Sequence, residues 1–232
     1  MDGPMVDGRV VARHEESYKR TDHLYPNENI VRLIKWFLPP PVPGTNVLDY
    51  GFGPGENLIH MARLGYEMTG VEVSQEAFSI TKRKLGERGY GADLRILTAK
   101  DKKLPFPDSS FNAIVCNQTL YFLVTEERIT HCLNEFYRVM KPGARLICTM
   151  MSRFNSMCTE GIPIGCGAYE HNFKGNLTDA PPEMPNRVYV TWDEAHCRRL
   201  FHGFEIKEIG YFDNYYCGMA GHHWVVLAEK AR

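Results

Sequence analysis

Val47-Leu48-Asp49-Tyr50-Gly51-Phe52-Gly53-Pro54-Gly55-Glu56-Asn57 decides how this chain is read. A short apolar run reaches an acid, three glycines then alternate with other residues, and a helical pattern begins. The stretch predicts a strand, a tight turn and a helix start. Glycines at such a turn carry no Cβ and tolerate positive φ, so backbone can approach a ligand closely. In an open α/β sheet the ligand lies outside the carboxyl ends of the strands. A nucleoside-containing ligand is the expectation at this turn.

Outward from the turn, strand and helix signals alternate, which predicts a parallel sheet with helices on both faces. Strands are expected over 46–50, 68–73, 94–98, 111–116 and 145–150. A helix over 57–64 follows the turn. Ser74 offers an N-cap with Glu76 in the first turn, and that helix runs to about 84, stopped by Gly86 and Gly89. Thr125 caps the clearest helix, in which Ile129, Cys132, Leu133, Phe136, Val139 and Met140 keep helical spacing until Lys141-Pro142-Gly143. From about 152 to 190 the rhythm breaks into Gly, Pro and Asn, which marks a lid or binding segment. Thr191 to Glu194 fits a capping box with Thr191 at N-cap. Its helix ends near His202-Gly203, before strands over 204–209 and 224–228. Upstream, Asn27 caps a helix carrying Ile30, Leu33, Ile34, Phe37 and Leu38, which Pro39-Pro40-Pro41 stops.

The 232 residues suit one α/β domain over 1–232, with an N-terminal cap over about 1–45 and the lid over about 152–190. The net charge is −1 and no basic block occurs, which argues against a surface that tracks nucleic acid. The first residues lack the apolar core of a signal peptide, and no run approaches the ~18 apolar residues of a membrane span. A soluble cytoplasmic protein is expected, with no membrane partner. The seven cysteines include no CxxC pair and read mostly as buried thiols, with Cys158 and Cys166 in a loop-like stretch. No His/Cys/Asp cluster has metal-ligand spacing, so no metal is expected.

Four pieces occur in order. Asp49, Gly51, Gly53 and Gly55 form D-x-G-x-G-x-G after the first strand. Glu72 ends the second. Leu104-Pro105-Phe106-Pro107-Asp108-Ser109-Ser110-Phe111 precedes the fourth. Arg138-Val139-Met140-Lys141-Pro142-Gly143 precedes the fifth. Over roughly residues 46 to 150 the chain resembles the class I S-adenosylmethionine-dependent methyltransferases. The resemblance implies an α/β fold: a Rossmann-like seven-stranded mixed sheet, last strand antiparallel, with helices on both faces. It implies S-adenosylmethionine as cofactor and S-adenosylhomocysteine as product.

The resemblance also implies roles. Glu72 would accept both ribose hydroxyls, since a carboxylate makes the stronger hydrogen bonds. Asp49 would hold the glycine turn or sit near the cofactor's amino group. The Asp that often meets the adenine amino group is displaced here, with Lys100 in its place and Asp101 next. Asn117 and Gln118, after the fourth strand, would face the methionine half. Tyr18 or Arg20 would meet the carboxylate from the N-terminal segment. Tyr121 would stand near the sulfonium, where a cation over a ring gains ~0.5–2 kcal/mol.

On the acceptor side, the family's sheet order would bring the 210–223 connection, with Tyr211, Phe212, Asp213, Asn214, Tyr215, Tyr216, His222 and His223, to the ligand edge. The long segment adds Arg153, Tyr169, Glu170 and His171. An aromatic, partly polar pocket points to a small-molecule acceptor, a sugar derivative or secondary metabolite methylated at oxygen or nitrogen. His171, His222 and His223 are candidates to take its proton, although alignment alone can supply much of the rate. A nicotinamide-dependent oxidoreductase shares the turn and the ribose acid, but the third glycine is not at its usual later place. A non-catalytic S-adenosylmethionine-binding protein is a third reading. A homodimer stays among the expectations.

Overall fold

The glycine turn follows the third strand across a seven-stranded sheet. The computed structural model describes residues 8–18, 25–98, 100–171, 185–216 and 218–232. Two helices come first, α1 (Gly8–Tyr18) and α2 (Glu28–Phe37). Then β1 (Asn46–Tyr50), α3 (Glu56–Leu64), β2 (Glu67–Glu72), α4 (Gln75–Arg88), β3 (Ala92–Ile96) and β4 (Phe111–Cys116) alternate. A 3₁₀ turn (Leu120–Leu123) leads into α5 (Glu126–Val139) and β5 (Met140–Met151). The order in the sheet is β3-β2-β1-β4-β5-β12-β9, where β9 is Glu205–Phe212 and β12 is His223–Glu229. β12 runs antiparallel to both neighbours and the other pairs are parallel. The direction of strand order reverses between β1 and β4, so a crevice opens there at the carboxyl ends.

Alternation along the strands divides the core into two layers. Leu48, Ile114, Cys116, Leu146 and Cys148 face α5, which buries Ile129, Cys132, Leu133, Phe136 and Val139 against them. Val47, Ala113, Val115 and Ile147 face the other way, onto Ile30 and Ile34 of α2 and Leu58 and Met61 of α3. Each such side chain, fully buried, contributes about 1.5–3 kcal/mol. The predicted caps at Asn27, Ser74 and Thr125 all form, each side chain accepting a backbone N–H in the first turn.

Four expectations need correction. α4 runs through Gly86 to Arg88 and ends at Gly89, whose φ of +70° supplies the left-handed terminator. Lys141-Pro142-Gly143 does not end α5. The helix stops at Val139, and those residues begin β5, where Gly143 N donates to Lys230 O. Thr191 is not an N-cap, because its hydroxyl donates to Met151 O. Asp193 caps α7 (Glu194–Leu200) instead, accepting from His196 N. The 152–190 segment is not one long loop. It holds α6 (Ser156–Thr159) and a small antiparallel sheet of β6 (Ile162–Gly165), β7 (Ala168–His171) and β8 (Asn186–Tyr189). A hairpin of β10 (Tyr215–Tyr216) and β11 (Met219–Ala220) precedes β12. Among the described residues no helix is long and apolar enough to cross a membrane, and no group of three His, Cys, Asp or Glu could hold a metal ion.

Candidate active site

The crevice at the β1/β4 switch point is a cleft of about 570 Å³ including its open mouth, within the size range of ligand sites. Its floor is Tyr50, Gly51, Val71, Glu72, Val73 and Leu97; Gln118, Thr119, Phe122 and Leu123 form one wall. Close approach dictates the glycines here. Gly51 has φ +73°, and a Cβ on it would fall 2.3 Å from Cγ2 of Thr119. Gly55 has φ +89° and faces the Thr81 side chain at 2.6 Å. Thr81 in turn donates to Gly53 O at 2.9 Å, which ties the turn to α4.

Glu72 sits at the end of β2, 5% exposed. Its Oε2 accepts from Gly53 N at 2.9 Å, and its Oε1 from Val73 N at 2.7 Å and Ser74 N at 3.1 Å. Burial raises its pKa, against the lowering by those three N–H groups, and Glu15 raises it further. Oε2 keeps lone-pair capacity for a hydroxyl donor. Asp49 lies beneath the turn, 1% exposed, and its Oδ2 has no hydrogen-bond partner among the described residues. Burial, then Glu56 and Glu72, push its pKa up to about 8. A buried carboxyl oxygen without a partner, beside a ribose-sized acid and a glycine cradle, fits a ligand that brings hydroxyls and a cationic amine.

Helix α1 closes the cleft from above. Val10, His14 and Tyr18, one turn apart, line it. The Tyr18 hydroxyl would lie 3.1 Å from a Cβ on Gly53. Burial, then Glu72, raises the Tyr18 pKa, so the phenol stays protonated. Glu15 fastens the helix by accepting from Ser74 Oγ and, at 3.0 Å, from Glu76 N at the start of α4. Arg20, the other residue expected here, lies outside the described residues. Val10 and His14 did not stand out in the sequence, although their spacing with Tyr18 is that of one helical face.

Of the remaining expected cofactor residues, Asn117 does not line the cleft, although its neighbour Gln118 does; the Asn117 Oδ1 accepts from Thr149 Oγ1 at 3.2 Å. Asp101 does not line it. Its Oδ2 accepts from Thr98 N at 2.6 Å and Thr98 Oγ1 at 2.8 Å, closing a local turn.

A second cleft, about 810 Å³ with its mouth, shares Gln118 with the first. Tyr121, Met151, Met157, Phe212 and Met219 give it an apolar lining; Asn27, Asn155, Ser156 and Asn214 give it polar points. His223 also lines it. His223 Nδ1 lies 3.2 Å from Gly221 O, so that nitrogen carries the proton. Nε2 is then the acceptor for the Tyr121 hydroxyl at 3.4 Å. Burial lowers the His223 pKa to about 4, and burial raises that of Tyr121 far above its ordinary value.

The structure separates the other two histidines from this pair. His222 stacks on Tyr211 with centroids 5.0 Å apart and meets Phe154 and Trp224 edgewise. His171 is in the small sheet, its Nε2 3.9 Å from Glu160. Neither lines either cleft. Tyr169 and Glu170 are engaged nearby, with Glu170 paired to Arg187 at 2.7 Å. Cys158 is buried in α6 and Cys166 exposed; Cys217 lies outside the described residues.

Residues 48–148 match a family model described as a methyltransferase domain. A ubiquinone/menaquinone biosynthesis C-methyltransferase of Bartonella bacilliformis is 27% identical over 124 residues, 52% of this chain and 46% of that protein. A sterol 4-C-methyltransferase of Caenorhabditis elegans is 29% identical over 166 residues, 67% of this chain and 49% of that protein. The solved SAM-dependent methyltransferase of Methanosarcina mazei has a TM-score of 0.70 at 21% identity, covering 90% of this chain and 99% of that one. The chain spans about half the length of the curated relatives it matches. With the sheet order, the glycine turn and the acid at β2, these matches assign residues 48–148 to a methyltransferase domain, in a chain with the fold of solved S-adenosylmethionine-dependent methyltransferases. S-adenosylmethionine is therefore its cofactor, and the nicotinamide reading falls away.

Proposed function

We propose that the protein methylates an uncharged, hydroxyl-bearing small molecule held in the second cleft, with Tyr121 and His223 handling its proton. The observation that carries this reading is the buried Tyr121–His223 pair beside Gln118, which borders both clefts. S-adenosylmethionine supplies the activated methyl group and leaves as the neutral thioether S-adenosylhomocysteine. Glu72 holds the ribose, Asp49 meets the amino group, and α1 excludes water from above. Tyr18 and Asn117 stand at the methionine half; Asp101 acts by shaping the loop after β3.

The Tyr121 hydroxyl is already donated to His223 Nε2, so its oxygen lone pairs are open to a hydroxyl in the cleft. As that hydroxyl attacks, its proton moves to the Tyr121 oxygen and the tyrosine proton to Nε2. A histidine with a pKa near 4 resists this charge in the resting protein. Loss of the cofactor's positive charge next door offsets the penalty, so proton transfer accompanies methyl transfer. A deprotonated ring hydroxyl delivers a nucleophile at oxygen or at the conjugated carbon; in the second case the hydrogen on that carbon leaves as a proton when the ring regains its aromaticity and the oxygen is reprotonated. The expected oxygen or nitrogen acceptor is accordingly widened to carbon, the atom in the names of the similar C-methyltransferases.

Formation of S-adenosylhomocysteine across a panel of neutral and charged phenols, quinols and hydroxylated polycycles tests the reading. Neutral acceptors should be turned over, and Tyr121→Phe and His223→Gln should each lower kcat on the order of 10²-fold with the KM for S-adenosylmethionine unchanged. Full kcat in both variants would sink the proton-handling role.

A further inference from the structure

Gln118 lies two residues beyond β4 and holds φ at +54°. Glycine adopts that conformation freely, whereas a glutamine there is strained. The residue nevertheless occupies a position that borders both clefts. The restraint comes from the next strand. Thr149 of β5 is 0% exposed. Its Oγ1 accepts from Gln118 N at 2.7 Å and donates to Asn117 Oδ1 at 3.2 Å. One hydroxyl thus works as acceptor and donor together, gripping two successive residues.

The place of this contact explains its chemistry. The β4–β5 ladder ends at the pair Cys116–Cys148. Beyond it the β4 chain turns out toward the ligand edge, and the Thr149 side chain takes the N–H that the ladder no longer satisfies. A second hydroxyl steadies the same bend, Thr119 Oγ1 donating to Asn117 O at 3.0 Å. Backbone strain of this kind persists only where the surroundings over-determine it. Thr149 is the buried group that does so at Gln118.

We propose that Thr149 is a positioning residue of the transfer site: it locks Gln118 in the left-handed conformation and thereby sets the boundary at which cofactor and acceptor meet. The inference rests on the two-cleft reading and adds to it a residue in the layer beneath, which touches neither ligand.

Two measurements test it, neither of which needs an acceptor, so a failed acceptor assignment shows in the turnover panel and not here. Hydrogen exchange on the ligand-free protein should find the Gln118 amide protected in wild type and in Thr149→Ser, and fast in Thr149→Val. Calorimetry with S-adenosylhomocysteine should show Thr149→Val weakening binding roughly tenfold, with Thr149→Ser within about threefold of wild type. In a Gln118→Gly background, where the conformation needs no restraint, Thr149→Val should change affinity by less than about twofold. The same loss from Thr149→Val in both backgrounds would overturn the proposal, as would a serine variant as weak as the valine one. Thr149→Ala set against Thr149→Ser gives the same comparison in case the valine variant does not fold.

Discussion

Glu72 and Asp49 are two buried acids at one turn, yet their surroundings set them different tasks. Glu72 is braced by three N–H groups, so it is oriented before any ligand arrives. Glu72→Gln places an amide NH₂ against those donors and removes the charged acceptor. Its affinity for S-adenosylhomocysteine, measured by calorimetry, should fall on the order of 10- to 100-fold. Asp49 has no such bracing at Oδ2, and its pKa stands at about 8. It is mostly protonated at pH 7, and a cationic amine brought against it lowers that pKa. Binding should therefore release about one proton per site below pH 8, seen as a dependence of the calorimetric heat on buffer ionisation, and Asp49→Asn should abolish the release. For stability the sign is that of any acid whose pKa the fold raises, Glu72 included. A pKa raised in the fold gives a contribution present in full below the unfolded value of about 3.9 and lost as pH rises through about 8.

Helix α1 is the element whose docking is most exposed to pH. His14 packs half-buried against Phe122, with ring centroids 4.6 Å apart, and desolvation there lowers its pKa to about 4. A histidine pKa depressed in the fold gives a contribution that is whole above the unfolded value of about 6.5 and lost as pH falls through about 4. Amides of α1 should show lower protection factors, corrected for the intrinsic exchange rate, at pH 4.5 than at 7, and His14→Phe should blunt the difference. The elements that the sequence made legible are those with strong local signals. β1, β4 and α5 come out with their predicted bounds, or within a residue of them, because alternation, helical spacing and cap residues agree there. The small sheet was not legible, since its strands are four residues long and β6 is exposed throughout, leaving no alternation to read. The caps at Thr191 and Asp193 compete on paper, and only the tertiary bond from Thr191 to Met151 decides between them. The places of Asp49 and Glu72, buried at the glycine turn, were legible from strand ends. The histidines were not, because nothing in the sequence shows that His223 meets Tyr121 while its neighbour His222 stacks on Tyr211.

At the scale of the molecule, the clefts lie at one edge of a single sheet, so occupancy of the cofactor site should register in global stability. Saturation with S-adenosylhomocysteine at 100 times its Kd adds about 2.7 kcal/mol, which for a domain of this size raises Tm by roughly 5–10 °C. A scan with and without ligand checks this, and Gly51→Ala, which drives a Cβ into Thr119, should lose the shift.

The two clefts draw on different parts of the chain. Apart from α1, the cofactor cleft is built from residues 50–123, inside the stretch that matches the methyltransferase domain. The second cleft takes Asn27, Met151–Met157 and Phe212–His223 from outside that stretch, and borrows only Gln118 and Tyr121 from within. Helix α6 and the β10–β11 hairpin, joined where Ala220 N donates to Ser156 Oγ, stand together at the second cleft, so a change in either reshapes that space and leaves the lining of the first cleft as it is.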